Sequence, residues 1–420
     1  MKKKILLKGP LLTRSGYGEQ ARFALRSLRS REDLFDIYIQ PLQWGSTSWI
    51  NTSNKEREWI DETIEKTIAY IQQGSPQFDI SLQVTIPNEW EKIAAVNVGY
   101  TAGIESTKVA PLWLQKGNEA VDKIIVVSKH SSDVYKNTVA LAKNNNTGEE
   151  FEYRLDTAID HVGYPVKSYD ELPELDLDIS TDFNFLSIAQ FGPRKNLPNT
   201  VKWFVEEFHD ENVGLILKTN MAKNCLMDRE KVFHDLKLFM NQFNDYKCKV
   251  YLIHGDMTDE ELHSLYVHPK VSAFLALPHG EGFGLPIFEA AYSGLPVVAT
   301  GWSGQLDFLV DENKKDRFYN VSFDLQPIQS EVVWENVLIP ESMWAYSREQ
   351  SAKSQMRQCY SDITDNTEDT PATNACEYAL EVKDRFSPEK MYKKFVDSVL
   401  GFDSSILESE QSEDEIVEFE

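Results

Sequence analysis

Strand-like and helix-like segments alternate along almost the whole chain, and they do so in two tandem series. The first series has apolar segments at Lys4–Lys8, Phe35–Gln40, Asp79–Leu82, Ala94–Tyr100 and Lys123–Val127, with a helix-like stretch at Gly16–Arg29 after the first of them. The second has Phe185–Gln190, Gly214–Lys218, Lys249–His254, Val271–Leu277 and Pro296–Thr300. Strands that alternate with helices are joined by crossovers and pair in parallel. At 420 residues the chain is also too long for one typical core. The pattern therefore predicts an α/β protein of two tandem doubly wound domains with a ligand cleft between them.

The polar, turn-rich stretch Pro165–Asp182 supplies the boundary. It divides the chain into a first domain at residues 1–168, a linker at 169–182 and a second domain at 183–386. Ser387-Pro-Glu opens a last helix, over 387–401, with proline at its first position. Thr258-Asp-Glu-Glu261 reads as a capping box before a short helix. Lys143–Glu150 and Asp362–Thr373 read as surface loops, and the aromatic segment Trp334–Tyr346 as core or domain seam. Asp176-Leu-Asp178 has metal-motif spacing but follows no strand and sits in the linker, so no metal site is expected there.

The net charge of −24 argues against general nucleic-acid binding, which needs net or local basicity. Part of that charge is an acidic tail at 402–420, with no basic residue from Asp403 to Glu420; its composition predicts disorder. Cys225, Cys248, Cys359 and Cys376 show no C-x-x-C spacing, which fits reduced thiols in a cytoplasmic protein. No run approaches transmembrane length, and the apolar stretch after Met1 is broken by Lys8.

The chemistry concentrates in Pro278-His-Gly-Glu-Gly-Phe-Gly-Leu-Pro-Ile-Phe-Glu289, between the last two strands of the second series. Gly280, Gly282 and Gly284 allow close backbone approach. Pro286 starts a helix that stops at Gly294. The free amides at that helix start suit an anion. Glu281 stands beside them and Glu289 one turn into the helix, so phosphates can take the amides while hydroxyls donate to the carboxylates. The plainer reading is a strand–turn–helix with two solvated glutamates.

Glu281, Gly282-Phe283-Gly284 and Glu289 resemble the E-x7-E signature of retaining glycosyltransferases with the GT-B fold, most like family 4. The resemblance implies two Rossmann-like domains and a nucleotide-sugar site. Glu289 would hold the nucleotide ribose. Glu281 and the amides of Gly282, Phe283 and Gly284 would hold the sugar hydroxyls and the diphosphate. Arg194 and Lys195, in the loop after Phe185–Gln190, are cations suited to a diphosphate. In the family such a pair neutralises the leaving nucleotide, although Arg194 stands nearer the lysine here than in many members.

Gly16 and Gly18, between the first strand and helix, form a G-x-G-x-x-A with Ala21. The loop from Gly9 to Ser15 is longer than a Rossmann turn, and the strand ending at Gln40 lacks the acidic residue that holds an NAD ribose. The resemblance instead implies that this loop approaches the donor phosphates from the first domain; a tight turn without ligand is the alternative. Ser303 and Gly304 would offer further amides. Glu105 follows a first-domain strand, where the family places acceptor-side groups; it would orient an acceptor hydroxyl or face solvent. The family often carries a first-domain histidine near the reacting sugar. None occurs at Tyr100–Ser106, and the nearest, His130, reads as a surface helix residue. His279 borders the glycine loop.

The reading is a hexosyl- or pentosyltransferase that moves a sugar, with retention, from a nucleotide diphosphate sugar (UDP- or GDP-linked) to an acceptor hydroxyl. That donor is a co-substrate, with no tightly bound cofactor and no metal. The acceptor is left open among glycan, lipid and modified nucleic-acid base. A nucleotide-sugar epimerase or hydrolase, or a non-catalytic nucleotide-sugar-binding protein on the same fold, is the alternative.

Overall fold

The computed structural model describes residues 2–401 except 46, 52 and 144–148. The acidic tail and the centre of the Asn-rich loop lie outside the described residues. Strands β1 (Lys3–Gly9), β2 (Phe35–Pro41), β3 (Ile80–Val84), β4 (Val96–Thr101) and β5 (Lys123–Val126) build the first sheet. The antiparallel hairpin β6 (Ala140–Lys143) and β7 (Glu150–Tyr153) stands outside it, and β8 (Ala158–His161) closes its edge. All pairings in the order β2-β1-β3-β4-β5-β8 are parallel. Helices α1 (Gly16–Arg29), α2 (Lys55–Gln72), α3 (Pro111–Ala120) and α4 (Lys129–Asn137) lie in the connections.

The second sheet repeats this plan. It contains β9 (Phe183–Ile188), β10 (Val213–Lys218), β11 (Lys249–Ile253), β12 (Ala273–Ala276), β13 (Val297–Thr300) and β14 (Tyr319–Val321), parallel in the order β11-β10-β9-β12-β13-β14. Helices α5 (Leu197–Glu207), α6 (Leu226–Met240), α7 (Asp259–Tyr266), α8 (Leu285–Tyr292) and α9 (Leu306–Leu309) connect them. A separate antiparallel pair, β15 (Phe323–Pro327) and β16 (Met343–Ser347), leads to α10 (Glu349–Thr364), α11 (Ala375–Arg385) and α12 (Pro388–Leu400).

Local chemistry accounts for the key starts and stops. Ser15 caps α1 by accepting from the Gly18 amide, and Arg26 and Arg29 occupy its negative end. Thr258 and Glu261 form the expected capping box on α7. Gly284, at φ 93°, turns the chain into α8, and Gly294, at φ 81°, turns it out again. The central strands are buried on both faces, as parallel strands between helices must be; β3 is buried at every position.

In each sheet the strand order reverses once, between β1 and β3 and between β9 and β12. Ligands of such sheets bind beyond the C-terminal strand ends at the reversal. The loops there carry Gly16 (after β1), Arg194 and Lys195 (after β9) and Glu281 (after β12), with Glu105 after the adjacent β4.

One apolar cluster runs without a break from the first sheet into the second half through Phe283, Phe288, Phe308 and Phe386. The last helix, α12, packs on α1: Phe395 is fully buried with its ring 5.2 Å from Phe23 and 5.0 Å from Tyr100. A second cluster, with Phe185, Phe204, Phe208 and Met356, fills the outer face of the second sheet under α5 and α10. Phe395→Ala is expected to lower stability by about 3–5 kcal/mol, read by urea unfolding, because losing a fully buried ring removes its burial energy and leaves a cavity.

Two expectations need correction. Asp362 does not open a surface loop; it is buried in the last turn of α10, where it accepts hydrogen bonds from Tyr319 Oη and Gln358 Nε2, both at 2.7 Å. Trp334–Tyr346 is seam only in part. Trp344 is buried and Met343 exchanges hydrogen bonds with Thr107 of the first half, whereas Trp334 is exposed.

Candidate functional site

Arg194 and Lys195 occupy a single 3-10 turn after β9, and Asn196, at φ 54°, redirects the chain into α5. Asn196 Nδ2 donates to the Leu277 carbonyl (3.1 Å), which ties this turn to the end of β12. Both cations converge on Glu281. Arg194 Nη1 donates to Glu281 Oε2 at 2.9 Å and Lys195 Nζ to Oε1 at 2.5 Å. Arg194 Nη1 also holds the Gly280 carbonyl at 2.7 Å, and Nη2 lies 3.4 Å from Glu105 Oε1 of the first half.

Burial pulls the Glu281 carboxyl upward, but the Lys195 and Arg194 charges outweigh it and hold the group below the usual carboxylate range. Burial lowers the Lys195 ammonium. Glu281 is thus an ionised carboxylate, 8% exposed, shared by two cations in a low-dielectric setting.

The glycine loop is fixed from behind. The Glu281 amide donates to Ser303 Oγ (2.9 Å), Ser303 Oγ donates to Gln305 (2.9 Å), and the Gly304 amide donates to the Glu281 carbonyl (3.0 Å). The first half meets the loop closely in front. A Cβ on Gly280 would stand 2.1 Å from the Glu105 carbonyl oxygen, and one on Gly282 would stand 2.1 Å from that of Ala102. Tyr17, between Gly16 and Gly18, accepts at its hydroxyl from the Ala102 amide (3.4 Å).

Several expected roles change in this setting. The Gly18 amide is taken by the Ser15 cap, and a Cβ on Gly18 would stand 2.1 Å from the Thr13 carbonyl oxygen, so Gly18 permits a close turn rather than offering an amide. Gly16 faces open space. The Phe283 ring is core, 5.1 Å from Tyr164 and Phe308, which leaves only its backbone for a ligand. Gly304 uses its amide on Glu281, so Ser303 and Gly304 brace the carboxylate loop. Glu105 does not simply face solvent; it is the first-half partner of Arg194.

His130 is half-buried on α4 rather than free on the surface. Its ring lies 4.9 Å edge-on to Trp302 across the seam, Nε2 is buried without a partner, and burial lowers its pKa to about 4. His279 is buried beside the Trp344 and Tyr346 rings, with Nδ1 3.0 Å from the Ala345 carbonyl oxygen.

Glu289, one turn into α8, accepts from Tyr266 Oη at 2.9 Å and borders a cavity of about 10 Å³ with Tyr169, Asp259 and His263. Burial pushes its carboxyl up to about 7, against the opposing Lys167 charge. Lys167 lies in the stretch around the boundary, and no motif marks it; its partners Glu19 and Asp259 are far off in sequence. Arg14 also escapes a motif search, yet Nη1 crosses the seam to the Met257 carbonyl at 3.3 Å.

Among the described residues no group of three or more His, Cys, Asp or Glu is placed to hold a metal, and no helix is long and apolar enough to cross a membrane. The arrangement can bind an anion at the Arg194–Lys195 turn and hydroxyl groups at Glu281 and Glu289.

No protein-family profile matches the chain. Solved structures that superpose on nearly all of it include the Anabaena protein HepE in complex with UDP and glucose, at TM-score 0.58 and 12% identity over 95% of this chain and 100% of that one. Sucrose-phosphate synthase from Thermosynechococcus elongatus superposes at TM-score 0.60 and 12% identity, over 96% and 100% of the two chains. The fold is that of the GT-B glycosyltransferases. In sequence, the serotype-specific mannosyltransferase WbdA of Escherichia coli is 26% identical over 205 residues, which is 45% of this chain and 22% of WbdA. The chain therefore matches about a fifth of the length of that curated relative. In GT-B terms, the reversal points of both sheets face the seam that holds Arg194, Lys195, Glu281 and Glu105.

Proposed function

We propose that this chain is a retaining glycosyltransferase that moves a sugar from a nucleotide diphosphate sugar to an acceptor hydroxyl. The observation that carries the reading is the Arg194–Glu281–Lys195 cluster at the strand ends of a GT-B fold. Its carboxylate holds two cations in place before any ligand arrives, so their donors need little reorganisation when a diphosphate binds. Lys195 keeps further N–H donors beyond the one on Glu281. As the bond from sugar to phosphate breaks, negative charge grows on the leaving phosphate, and Arg194, Lys195 and the start of α8 stabilise it. No side chain caps that helix start.

Glu281 positions the sugar hydroxyls and Glu289 the ribose. The acceptor attacks on the face the nucleotide leaves, and the departing phosphate takes its proton, so no covalent nucleophile is required. In this reading residues 1–168 present the acceptor, 183–386 hold the donor, and 387–401 return to the first domain, which fits the packing of α12 on α1. The close seam at Gly280 and Gly282 would exclude water and limit hydrolysis of the donor.

WbdA is named as a mannosyltransferase and HepE was solved with UDP and glucose, so a GDP-linked mannose and UDP-glucose are the first donors to try. Nucleotide release is measured with and without pooled acceptors, beside mass spectrometry of the sugar product. Release that requires an acceptor supports a transferase; acceptor-independent release or an altered sugar points to a hydrolase or epimerase instead. Glu289→Ala is expected to weaken donor binding by roughly 10²–10⁴-fold, the loss of two hydrogen bonds to a charged group at about 1.5–3 kcal/mol each. Unchanged affinity in that variant, by calorimetry, would remove Glu289 from the site.

A further inference from the structure

The seam near Glu289 contains a charge cluster that the reaction itself does not use. Lys167 Nζ stands 2.8 Å from Asp259 Oδ2 at the start of α7 and 3.2 Å from Glu19 Oε1 in the first turn of α1. Asp259 and Glu289 line the same small cavity. Glu19 is also paired with Arg22 and Arg26, each at 3.0 Å, and Arg26 reaches on to Glu56 at 2.6 Å. Those two arginines are turned toward the first half, which leaves Lys167 as the cation placed between α1, α7 and α8.

We infer that Lys167 is a positioning residue for Glu289: held between Glu19 and Asp259, its ammonium keeps Glu289 available as a carboxylate for the ribose hydroxyls. The inference rests on the reading of Glu289 as the ribose group. The surroundings of Glu289 explain why it needs such a cation. From α7 it faces Tyr266, which donates a hydrogen bond, together with Asp259 and His263. From α1 comes the charge of Glu19, and from the boundary segment come Lys167 and the ring of Tyr169. Tyr292 follows on α8 itself, and burial, with the Lys383 and Lys167 charges, lowers the pKa of His263.

Burial is the largest influence and drives Glu289 toward the protonated form; Asp259 and Glu19 add to it. Lys167 is the strongest opposing influence, ahead of the Tyr266 hydrogen bond. The balance leaves Glu289 at about 7, so small changes in local charge alter its ionisation near neutral pH.

A protonated Glu289 accepts fewer ribose hydroxyl bonds, so donor affinity falls as pH drops through the Glu289 midpoint, by about tenfold per pH unit below it. The test is calorimetric binding of UDP-glucose and GDP-mannose to the full chain across pH 5.5–8.5. Their diphosphate diesters keep a constant charge over the acid side of this range. The midpoint is read on the acid side, away from any titration of Lys195, whose ammonium burial lowers.

Lys167→Met is expected to move the midpoint upward by about one unit, with a roughly fivefold loss at pH 7 that is recovered at higher pH; Lys167→Arg restores the wild-type profile. Asp259→Asn, an exposed site that tolerates change, moves the midpoint down, because it removes a repelling carboxylate and frees the ammonium. Glu289→Gln flattens the acid side. An equal loss at every pH in Lys167→Met, or no downward shift in Asp259→Asn, overturns the role of Lys167. A Glu289→Gln protein with wild-type affinity and profile overturns the ribose reading, as does a wild type that binds neither probe, and the inference falls with it.

Discussion

Lys195→Ala is expected to lower kcat by about 10²–10³-fold while donor KM changes far less. The reason lies in when the charge appears. A nucleotide sugar carries its diphosphate charge in the ground state, but the charge on the leaving oxygen grows only as the glycosidic bond breaks. A fixed cation aimed at that oxygen acts chiefly on the transition state, and removing one such donor typically costs about 2.7–4 kcal/mol. Lys195 is fixed by its 2.5 Å contact with Glu281 and stands half-buried, where its charge is less screened than on an open surface. Steady-state kinetics on the released nucleotide would separate the two parameters. A variant with a raised KM and unchanged kcat would make Lys195 a ground-state binding residue only. Arg194→Ala should show a similar loss plus looser seating of the first half, since Arg194 also bridges to Glu105.

Gly282→Ala is expected to abolish transfer while leaving donor binding largely intact. The added methyl would stand 2.1 Å from the Ala102 carbonyl oxygen, well inside contact distance, and the obstacle is backbone rather than a flexible side chain. The residues proposed for the donor belong mostly to the second half, whereas Ala102 belongs to the first. Relief of the clash therefore comes from backing one half away from the other, which removes Glu105 from Arg194 and opens the seam to water. A fall in transfer of at least about 10²-fold with donor affinity within about threefold is the expected split, since a misplacement near 1 Å can reduce rate by that factor. Thermal unfolding should show a loss of about 1–3 kcal/mol, as for other overpacked contacts. Full activity in Gly282→Ala would mean that the close seam is not the arrangement in which transfer occurs.

The two candidate loops differ in how much of their role is written locally. Around Glu281, glycines, a proline near the helix start and a trailing glycine specify a turn and short helix through backbone preferences alone, and α8 from Leu285 to Tyr292 follows them closely. The Arg194–Lys195 loop is likewise legible as a basic turn after a strand. That its two cations share one carboxylate is not, because 86 and 87 residues separate the partners. Phe283 looks like part of a ligand loop and is a core residue, because a ring beside four other aromatics gains more from burial than from solvent. His130 looks like a surface residue on an amphipathic helix, until Trp302 from the other half covers it.

By itself the sequence determined the two doubly wound sheets, the starts of α1, α7 and α8, and the strand ends that carry the candidate residues. Those features rest on periodicity, capping and turn geometry, which act over a few residues. The tertiary structure alone decided which amides are already taken, at Gly18 and Gly304, and which charges meet, at Arg194–Glu105 and Lys167–Asp259. Burial and charge pairing depend on what the other half of the chain brings within a few ångströms, and no local pattern encodes that distance.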